Sequence, residues 1–193
     1  MKKRITILSV LALPFFIMAT MPERSSSGAP ASHTGAPGEA TCGVSGCHDD
    51  KALNSGTAAL SIQVGNSLTH YTPGQTYQVK VKITDANVDR FGFQLLAMFS
   101  GDTANAGTFQ ITDPARTQIV SNYASLQSRR YVTYSFKGTD AVNLGLGEWT
   151  FNWTAPATNL GPVTFYAGGV SANDDMGDKG DYVYTTNVTL AGN

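Results

Sequence analysis

The sequence is short of charged residues, and it lacks the motifs that mark common enzymes. Asp, Glu, Lys and Arg make up 14% of its 193 residues, where about 25% is usual. The formal net charge of −1 leaves no basic footprint for a nucleic acid. Neither a G-x-S-x-G elbow nor a glycine-rich phosphate loop occurs, and three histidines leave little for a hydrolytic triad. We therefore expect no enzyme and no nucleic-acid partner.

The sequence also lacks the apolar spacing of amphipathic helices. Instead, apolar and polar residues alternate with a period of two. From residue 57 onward, apolar and polar side chains alternate along short segments that are separated by Gly, Pro and Asp turns. Trp149, Phe151 and Trp153 share one face of such a segment and are expected in the core. Residues 91–99 are almost continuously apolar, which predicts a strand between two layers. The pattern predicts an all-β fold, an antiparallel sandwich of seven to nine strands over residues 57–193.

One glycine pair interrupts a predicted strand. Gly168 and Gly169 lie within the apolar segment 163–170. Glycine inside a strand is typical of a bulge or of a place where another backbone comes close.

The first 20 residues have the composition of a cleaved signal peptide. Lys2, Lys3 and Arg4 precede a mostly apolar run of 15 residues, Ile5 to Ala19. A membrane-spanning helix needs about 20 apolar residues, so an uncleaved anchor is the weaker alternative. We expect an exported protein that is periplasmic, secreted or on the cell surface, with no stable membrane span in the mature chain. Cleavage would leave 10 basic and 14 acidic residues, a net charge of −4.

Residues 21–56 are predicted to form an irregular linker that is rich in Pro, Gly and Ser and contains the only two cysteines of the sequence. Residues 22–41 of this linker are expected to be extended and poorly packed. Cys42, Cys47 and His48 form a C-x₄-C-H motif, two residues longer than the C-x-x-C-H signature of covalent haem c. In the haem interpretation both thiols bind the porphyrin, and His48 is an axial ligand of the iron. A local disulfide is the second interpretation, since export favours oxidised cysteines. A metal site with two thiolates and one imidazole is the third, although a fourth ligand is not evident nearby.

Two further sets of residues are candidates for binding a cofactor or a metal ion. His33 is a possible second axial ligand of a haem iron, and His70 and Met176 are its rivals, whereas Met98 is expected in the core. The loop 173–181 contains four carboxylates that could bind Ca²⁺, although its spacing fits no EF-hand. These carboxylates are Asp174, Asp175, Asp178 and Asp181. The pair Arg129 and Arg130 is expected on a solvated strand edge.

Several stretches of the sequence resemble the choice-of-anchor V family of exported bacterial proteins. The matching stretches are SSGAPASHTGAPGEATC with the CH that follows, YTPGQTYQVKVKI, AGTFQI, EWTFNWTAP, GPVTFYAGGVSAN and GDYVYT. Together they extend over roughly residues 25–190. The resemblance implies a β-sandwich similar to the reeler domain, with an immunoglobulin-like fold. Members of that family usually carry a compact C-x-x-C-H where this chain has Cys42, Cys47 and His48.

Two functions follow as alternatives. The first is a small exported c-type haem protein that transfers electrons or holds haem, with a redox protein as its partner. The second is a non-catalytic adhesion or binding module that contacts a component of the cell surface and contains a Cys42–Cys47 disulfide.

Overall fold

A computed structural model describes residues 27–100, 104–121 and 129–193. The predicted signal peptide, residues 1–20, lies outside these ranges. Ten strands and one short 3₁₀ helix, Phe136–Thr139, make up the regular structure of the described residues. The strands are β1 (Ala59–Val64), β2 (His70–Tyr71), β3 (Thr76–Thr84), β4 (Arg90–Phe99), β5 (Thr108–Gln110), β6 (Thr117–Ser121), β7 (Arg130–Tyr134), β8 (Leu146–Thr154), β9 (Val163–Ala172) and β10 (Tyr182–Gly192). The prediction of an all-β fold is confirmed.

The strands form two sheets that pack face to face. One sheet has the order β1-β3-β8-β5, and the other has the order β2-β10-β9-β4-β7-β6. Every pair of neighbouring strands is antiparallel except β2 and β10, which pair in parallel over two residues. The predicted antiparallel sandwich is therefore confirmed, with one short parallel exception. The predicted number of seven to nine strands is too low for the ten that the described residues form, because β2 and β5 have only two and three residues.

The core between the sheets contains the aromatic side chains of β8. Trp149, Phe151 and Trp153 are all buried, as the sequence predicts. The Trp149 ring stacks on Phe93 of the opposite sheet with centroids 4.4 Å apart, and Trp153 meets Phe165 edge to face at 4.8 Å. Each indole N–H donates to a backbone carbonyl, Trp149 to Gly138 and Trp153 to Ala106, both at 2.8 Å. These bonds satisfy the polar end of each ring, so both tryptophans can be buried without a desolvation penalty.

Strand β4 is buried on both faces because a third layer covers the six-stranded sheet. Phe93 and Leu95 point into the sandwich core, whereas Leu96 and Met98 form a second cluster with Ala36. Ala36 belongs to the N-terminal segment of residues 27–50, which we call the strap. The position of residues 91–99 between two layers is thereby confirmed.

The strap is irregular, as predicted, but the expectation that the linker is poorly packed is wrong. Ala29, Thr34, Ala36 and Cys42 are buried against the six-stranded sheet. The buried Gln94 side chain holds the strap in place, since its Nε2 donates to Pro30 O at 2.8 Å and its Oε1 accepts from His33 N at 2.8 Å. Pro, Gly and Ser prevent regular structure here, yet a segment of small side chains can lie close to a sheet and still bury it.

A buried ion pair joins the strap to β7 and corrects a second expectation. Arg129 is fully buried rather than solvated, and its guanidinium donates to Glu39, whose side chain is equally buried. Pro37 O accepts a further hydrogen bond from Arg129 at 3.1 Å, and Tyr131 Oη donates to Glu39 Oε1 at 2.6 Å. Arg130, the next residue, is exposed as predicted.

The glycine pair in β9 reflects a close backbone approach and not a bulge. The registers of β9 with β4 and with β10 are continuous through both glycines. A Cβ atom at Gly168 would lie 2.6 Å from His33 O of the strap. Only glycine therefore lets the strap cross the sheet at this distance.

Candidate functional site

The two cysteines lie at the end of the strap in different environments. Cys42 is 8% exposed and packs with Val170 and Val183 of the six-stranded sheet. Its Sγ donates to His33 O at 3.7 Å. Burial raises the pKa of the Cys42 thiol to about 12, and the nearby Cys47 adds to the rise. Cys47 is partly exposed, so the two thiols differ in how easily a reagent can reach them.

The loop between the cysteines turns back on itself. His48 N donates to Cys42 O at 3.2 Å, and Cys47 N donates to Val44 O at 2.9 Å. Gly46 adopts a φ of 86° within this loop, a conformation that glycine reaches without strain. Both thiols are free in this structure. The turn keeps the two cysteines near each other, as a disulfide across so short a loop requires.

His48 is held by a carboxylate from the far end of the sequence. Its Nδ1 lies 2.6 Å from Oδ2 of Asp181, which is 2% exposed. The second oxygen of Asp181 accepts a hydrogen bond from Asn173 N at 2.9 Å. A carboxylate bonded to Nδ1 fixes the ring and leaves Nε2 as the free nitrogen. The sequence predicted both residues separately, His48 for haem and Asp181 for Ca²⁺, but not their contact.

The candidate second axial ligands have other roles or positions. His33 Nδ1 lies 3.0 Å from both Pro30 O and Ala31 O within the strap. His70 is in β2, where its Nδ1 lies 2.9 Å from Thr69 Oγ1. Met98 is buried as expected, and Met176 is exposed on its loop.

These residues fit covalent haem only in part. His48 has the oriented imidazole that an axial ligand needs, and Cys47 is accessible. Cys42 does not fit, since its Sγ is enclosed between the strap and the sheet and both thiols must reach the porphyrin edge. Haem attachment at this site would require the strap to leave Val170 and Val183. The donor set as arranged here does not fit haem c.

The four carboxylates of the loop 173–181 do not converge on one point. Asp174 binds Arg90 at 3.1 Å, and Asp181 binds His48. Asp175 accepts from Gly177 N at 2.6 Å, and Asp178 lies 3.6 Å from Lys179. Among the described residues no three or more His, Cys, Asp or Glu side chains are grouped to hold a metal ion. Ca²⁺ binding by this loop stays a prediction from the sequence.

Three connections at one end of the sandwich are linked to one another by hydrogen bonds and ion pairs, which the sequence analysis did not predict. We call these connections the loop end: residues 85–89 between β3 and β4, residues 135–145 between β7 and β8, and residues 173–181 between β9 and β10. Backbone hydrogen bonds join the first two, from Gly145 to Val88 O at 2.7 Å and from Ala141 to Asp89 O at 2.9 Å.

Arg90 ties the third connection to the other two. Its guanidinium pairs with Asp140 on one side and with Asp174 at 3.1 Å on the other. The hydrogen bond to Asp174 raises the pKa of Arg90 above its usual value. The strap adds a brace, because Lys179 Nζ lies 2.5 Å from Asp49 Oδ1 and Gly180 N donates to Asp50 at 2.9 Å.

Large apolar side chains are exposed on the loop end. Phe136 and Leu144 are each 68% exposed, and Met176 is 79% exposed. Val142, two residues before Leu144, is also exposed. Loops at one end of a sandwich are the usual binding elements of immunoglobulin-like folds. No helix among the described residues is long and apolar enough to cross a membrane.

The protein is therefore a sandwich of two β-sheets whose exposed apolar side chains lie on the connections at one end. The family model of the reeler domain matches residues 45–175. The chain therefore belongs to the reeler domain family. Cys47 and His48 fall within the matched region, whereas Cys42 and most of the strap precede it. No curated protein sequence matches the chain.

Solved structures of reeler domains share the fold. The human F-spondin reeler domain, fragment 1, is 24% identical and covers 72% of this chain and 94% of its own, with a TM-score of 0.50. The Reelin-N domain of F-spondin is 23% identical and covers 74% of this chain and 94% of its own, with a TM-score of 0.51. These similarities support the reeler-like sandwich that the sequence predicts.

Proposed function

We propose that this protein is an exported, non-catalytic binding module that contacts a component outside the cell through its loop end. The observation that carries the proposal is the exposure of Phe136, Leu144 and Met176 on connections that Arg90 holds together. Exposed apolar side chains on a rigid support are typical of interaction sites. Membership of the reeler family supports the β-sandwich fold of the proposed module but does not identify its binding partner.

A binding assay with a matched control tests this surface. The mature protein is immobilised and exposed to the secreted and surface proteins of the cells that produce it. Leu144→Asp should abolish specific retention, whereas Leu160→Asp should not. Leu160 is also 68% exposed, but it precedes β9, at the other end of the sandwich. Equal retention by the two variants would refute the loop end as the binding surface.

Export is part of the proposal and has its own test. The charged start and the short apolar run of the sequence support a cleaved signal. Mass spectrometry of the protein recovered outside the cytosol should show that about the first 20 residues are missing. Cleavage should fall before Ser27, whose carbonyl accepts a hydrogen bond from Gln118 in the folded chain. A mature protein that retains Met1 would contradict this.

We also propose a Cys42–Cys47 disulfide in the exported form. The turn that brings His48 N to Cys42 O supports it, as does the oxidising environment outside the cytosol. The two thiols would give up two protons and two electrons to a disulfide-donating oxidase, which would leave as its dithiol. The bond would hold the loop that carries His48 to Asp181.

Haem c attachment and membership of the choice-of-anchor V family stay predictions from the sequence. The buried Cys42 argues against haem in this arrangement, and the absorbance measurement described in the Discussion separates the two functions.

A further inference from the structure

We propose that the partner of the loop end is a basic polypeptide segment that carries apolar side chains. This inference rests on the binding function proposed above and adds the chemistry of the partner. It is carried by two features of the same three connections: their exposed apolar side chains and their carboxylates.

The apolar side chains provide the contact area. Phe136 is on the 3₁₀ helix, Leu144 is at the tip of the turn before β8, and Met176 is on the connection between β9 and β10. The turn at Leu144 is held from below, since Gly145 O accepts from Asp85 N at 3.0 Å and Leu146 O accepts from Val142 N at 2.8 Å. The backbone that carries Leu144 is therefore held in place, which lowers the entropy that must be lost on binding.

The charge on the loop end is strongly negative. Its three connections contain seven carboxylates and two cations, Lys137 and Lys179. Two arginines adjoin it: Arg90, and Arg116, whose guanidinium donates to Asp140 O at 2.8 Å. The carboxylates are Asp85, Asp89, Asp140, Asp174, Asp175, Asp178 and Asp181. They are half of the 14 acidic residues of the chain. The net charge of the mature protein is therefore concentrated at one end.

The described connections of the opposite end carry one charged residue, Arg129 before β7, and its side chain is buried in the pair with Glu39. Residues 65–75, 104–107 and 155–162 contain no Asp, Glu, Lys or Arg. Such a contrast orients an approaching cationic partner over distances of about 10 Å, the screening length at 0.1 M salt. It also disfavours an acidic partner, because like charges at an interface cost free energy.

Several carboxylates of the loop end remain accessible to a partner. Asp89 is exposed, and the Asp178 side chain is half-exposed at 3.6 Å from Lys179. Others are committed inside the protein, as Asp181 is to His48 and Asp85 to Ser171 at 2.6 Å. A metal ion fits this surface poorly because the carboxylates do not converge. Separate carboxylates on the same connections as exposed apolar side chains match an extended basic segment better.

Three synthetic peptides test the chemistry of the partner. Each has about eight residues, the length of an ordinary strand. The first alternates Lys and Leu, the second replaces Lys by Glu, and the third replaces Leu by Ser. Fluorescence anisotropy with the mature protein should show binding of the Lys-Leu peptide at least about tenfold tighter than of either other peptide. Raising NaCl from about 0.05 M to about 0.5 M should weaken that binding.

Matched variants locate the contact. Leu144→Ser should weaken binding of the Lys-Leu peptide by about tenfold, and Leu160→Ser should leave it unchanged. Asp89→Asn combined with Asp178→Asn should reduce both the affinity and its dependence on salt, whereas Glu148→Gln on the outer face of β8 should not. Circular dichroism would verify that each variant folds.

The proposal is wrong if the three peptides bind equally, if none binds, or if Leu160→Ser weakens binding as much as Leu144→Ser. Retention of an extracellular component through Leu144 without binding of the Lys-Leu peptide would leave the binding function intact and reject only the basic partner. If neither retention through Leu144 nor binding of the Lys-Leu peptide is observed, the proposed binding function is wrong as well.

Discussion

Glu39 and Arg129 form an ion pair in which neither side chain is exposed to solvent. The pair joins the strap to the start of β7, and Tyr131 donates to the same carboxylate. A charge left alone in such a place is costly, because water cannot solvate it.

Removal of one member of this pair should therefore destabilise the protein strongly. Glu39→Gln should lower the free energy of unfolding by about 3–5 kcal/mol, since Arg129 would stay buried without its counter-charge. Chemical denaturation followed by tryptophan fluorescence would measure the loss. Glu148→Gln is the matched control. Its partner Lys80 is 3.1 Å away, and both side chains are partly exposed, so the loss should stay below about 1 kcal/mol. Similar losses in the two variants would contradict the buried pair.

The crossing of the strap over β9 makes a second prediction. In Gly168→Ala the new Cβ would lie 2.6 Å from His33 O, so the strap must shift or the variant must lose about 1–3 kcal/mol of stability. Gly43→Ala is the control, because its Cβ would come no closer than 3.4 Å to any other residue. Hydrogen exchange of the strap amides should rise in Gly168→Ala and not in Gly43→Ala. Unchanged exchange in both would mean that the strap does not cross at Gly168.

The tryptophans of β8 should contribute heavily to the stability of the core. Trp153 is fully buried, and its indole donates to Ala106 O. Trp153→Ala should cost about 3–5 kcal/mol, the usual range for a large buried aromatic side chain. Urea denaturation would measure it, and a loss under about 1 kcal/mol would show that this face is exposed after all.

The two cysteines should differ in reactivity in the reduced, folded protein. The Cys42 pKa of about 12 leaves a negligible thiolate fraction at pH 8, and only the thiolate is alkylated. Iodoacetamide should therefore modify Cys47 and spare Cys42 until the protein is denatured, as peptide mapping would reveal. Because the pKa of Cys42 is raised on folding, its stabilising contribution is complete below the ordinary thiol pKa of 9.0 and declines as the pH rises towards about 12. Equal modification of both cysteines would contradict the burial of Cys42.

Expression with a c-type cytochrome maturation system separates the haem and disulfide interpretations. We expect a protein without a Soret band whose mass is lower than that of the reduced chain by two hydrogen atoms, since Cys42 is enclosed and the pair can oxidise. Cys47→Ser should remove the mass difference and keep the fold. Colour that persists after denaturation and acid-acetone extraction would establish covalent haem and reject the disulfide.

The sandwich could be predicted from the sequence because a strand with one buried face alternates with a period of two. This alternation is enough to predict that Trp149 and Trp153 face the core, even when the neighbouring strands are unknown. The strap could not be predicted in the same way. Its burial depends on Ala36 and Gln94 meeting across the sheet, and its Pro and Gly content has the composition of an unpacked linker.

The contacts of the candidate site could not be predicted from the sequence either. His48 and Asp181 are 133 residues apart, and Glu39 and Arg129 are 90 apart. Pattern and composition describe neighbours along the chain, whereas these pairs exist only after the sheets have formed. Arg129 was misassigned for this reason, because an arginine before a strand is exposed unless a distant carboxylate covers it.

The strap also has a consequence for the order in which the protein folds. Ala29 N donates to Thr133 Oγ1, 104 residues later in the chain, so the strap cannot dock until β7 has been delivered. The strap, which precedes all ten strands in the described chain, must therefore wait for most of the rest to fold. Contacts between residues so far apart slow the folding of a chain. The proposed disulfide would form during this interval, while Cys42 is uncovered, and docking of the strap would then close the site around it.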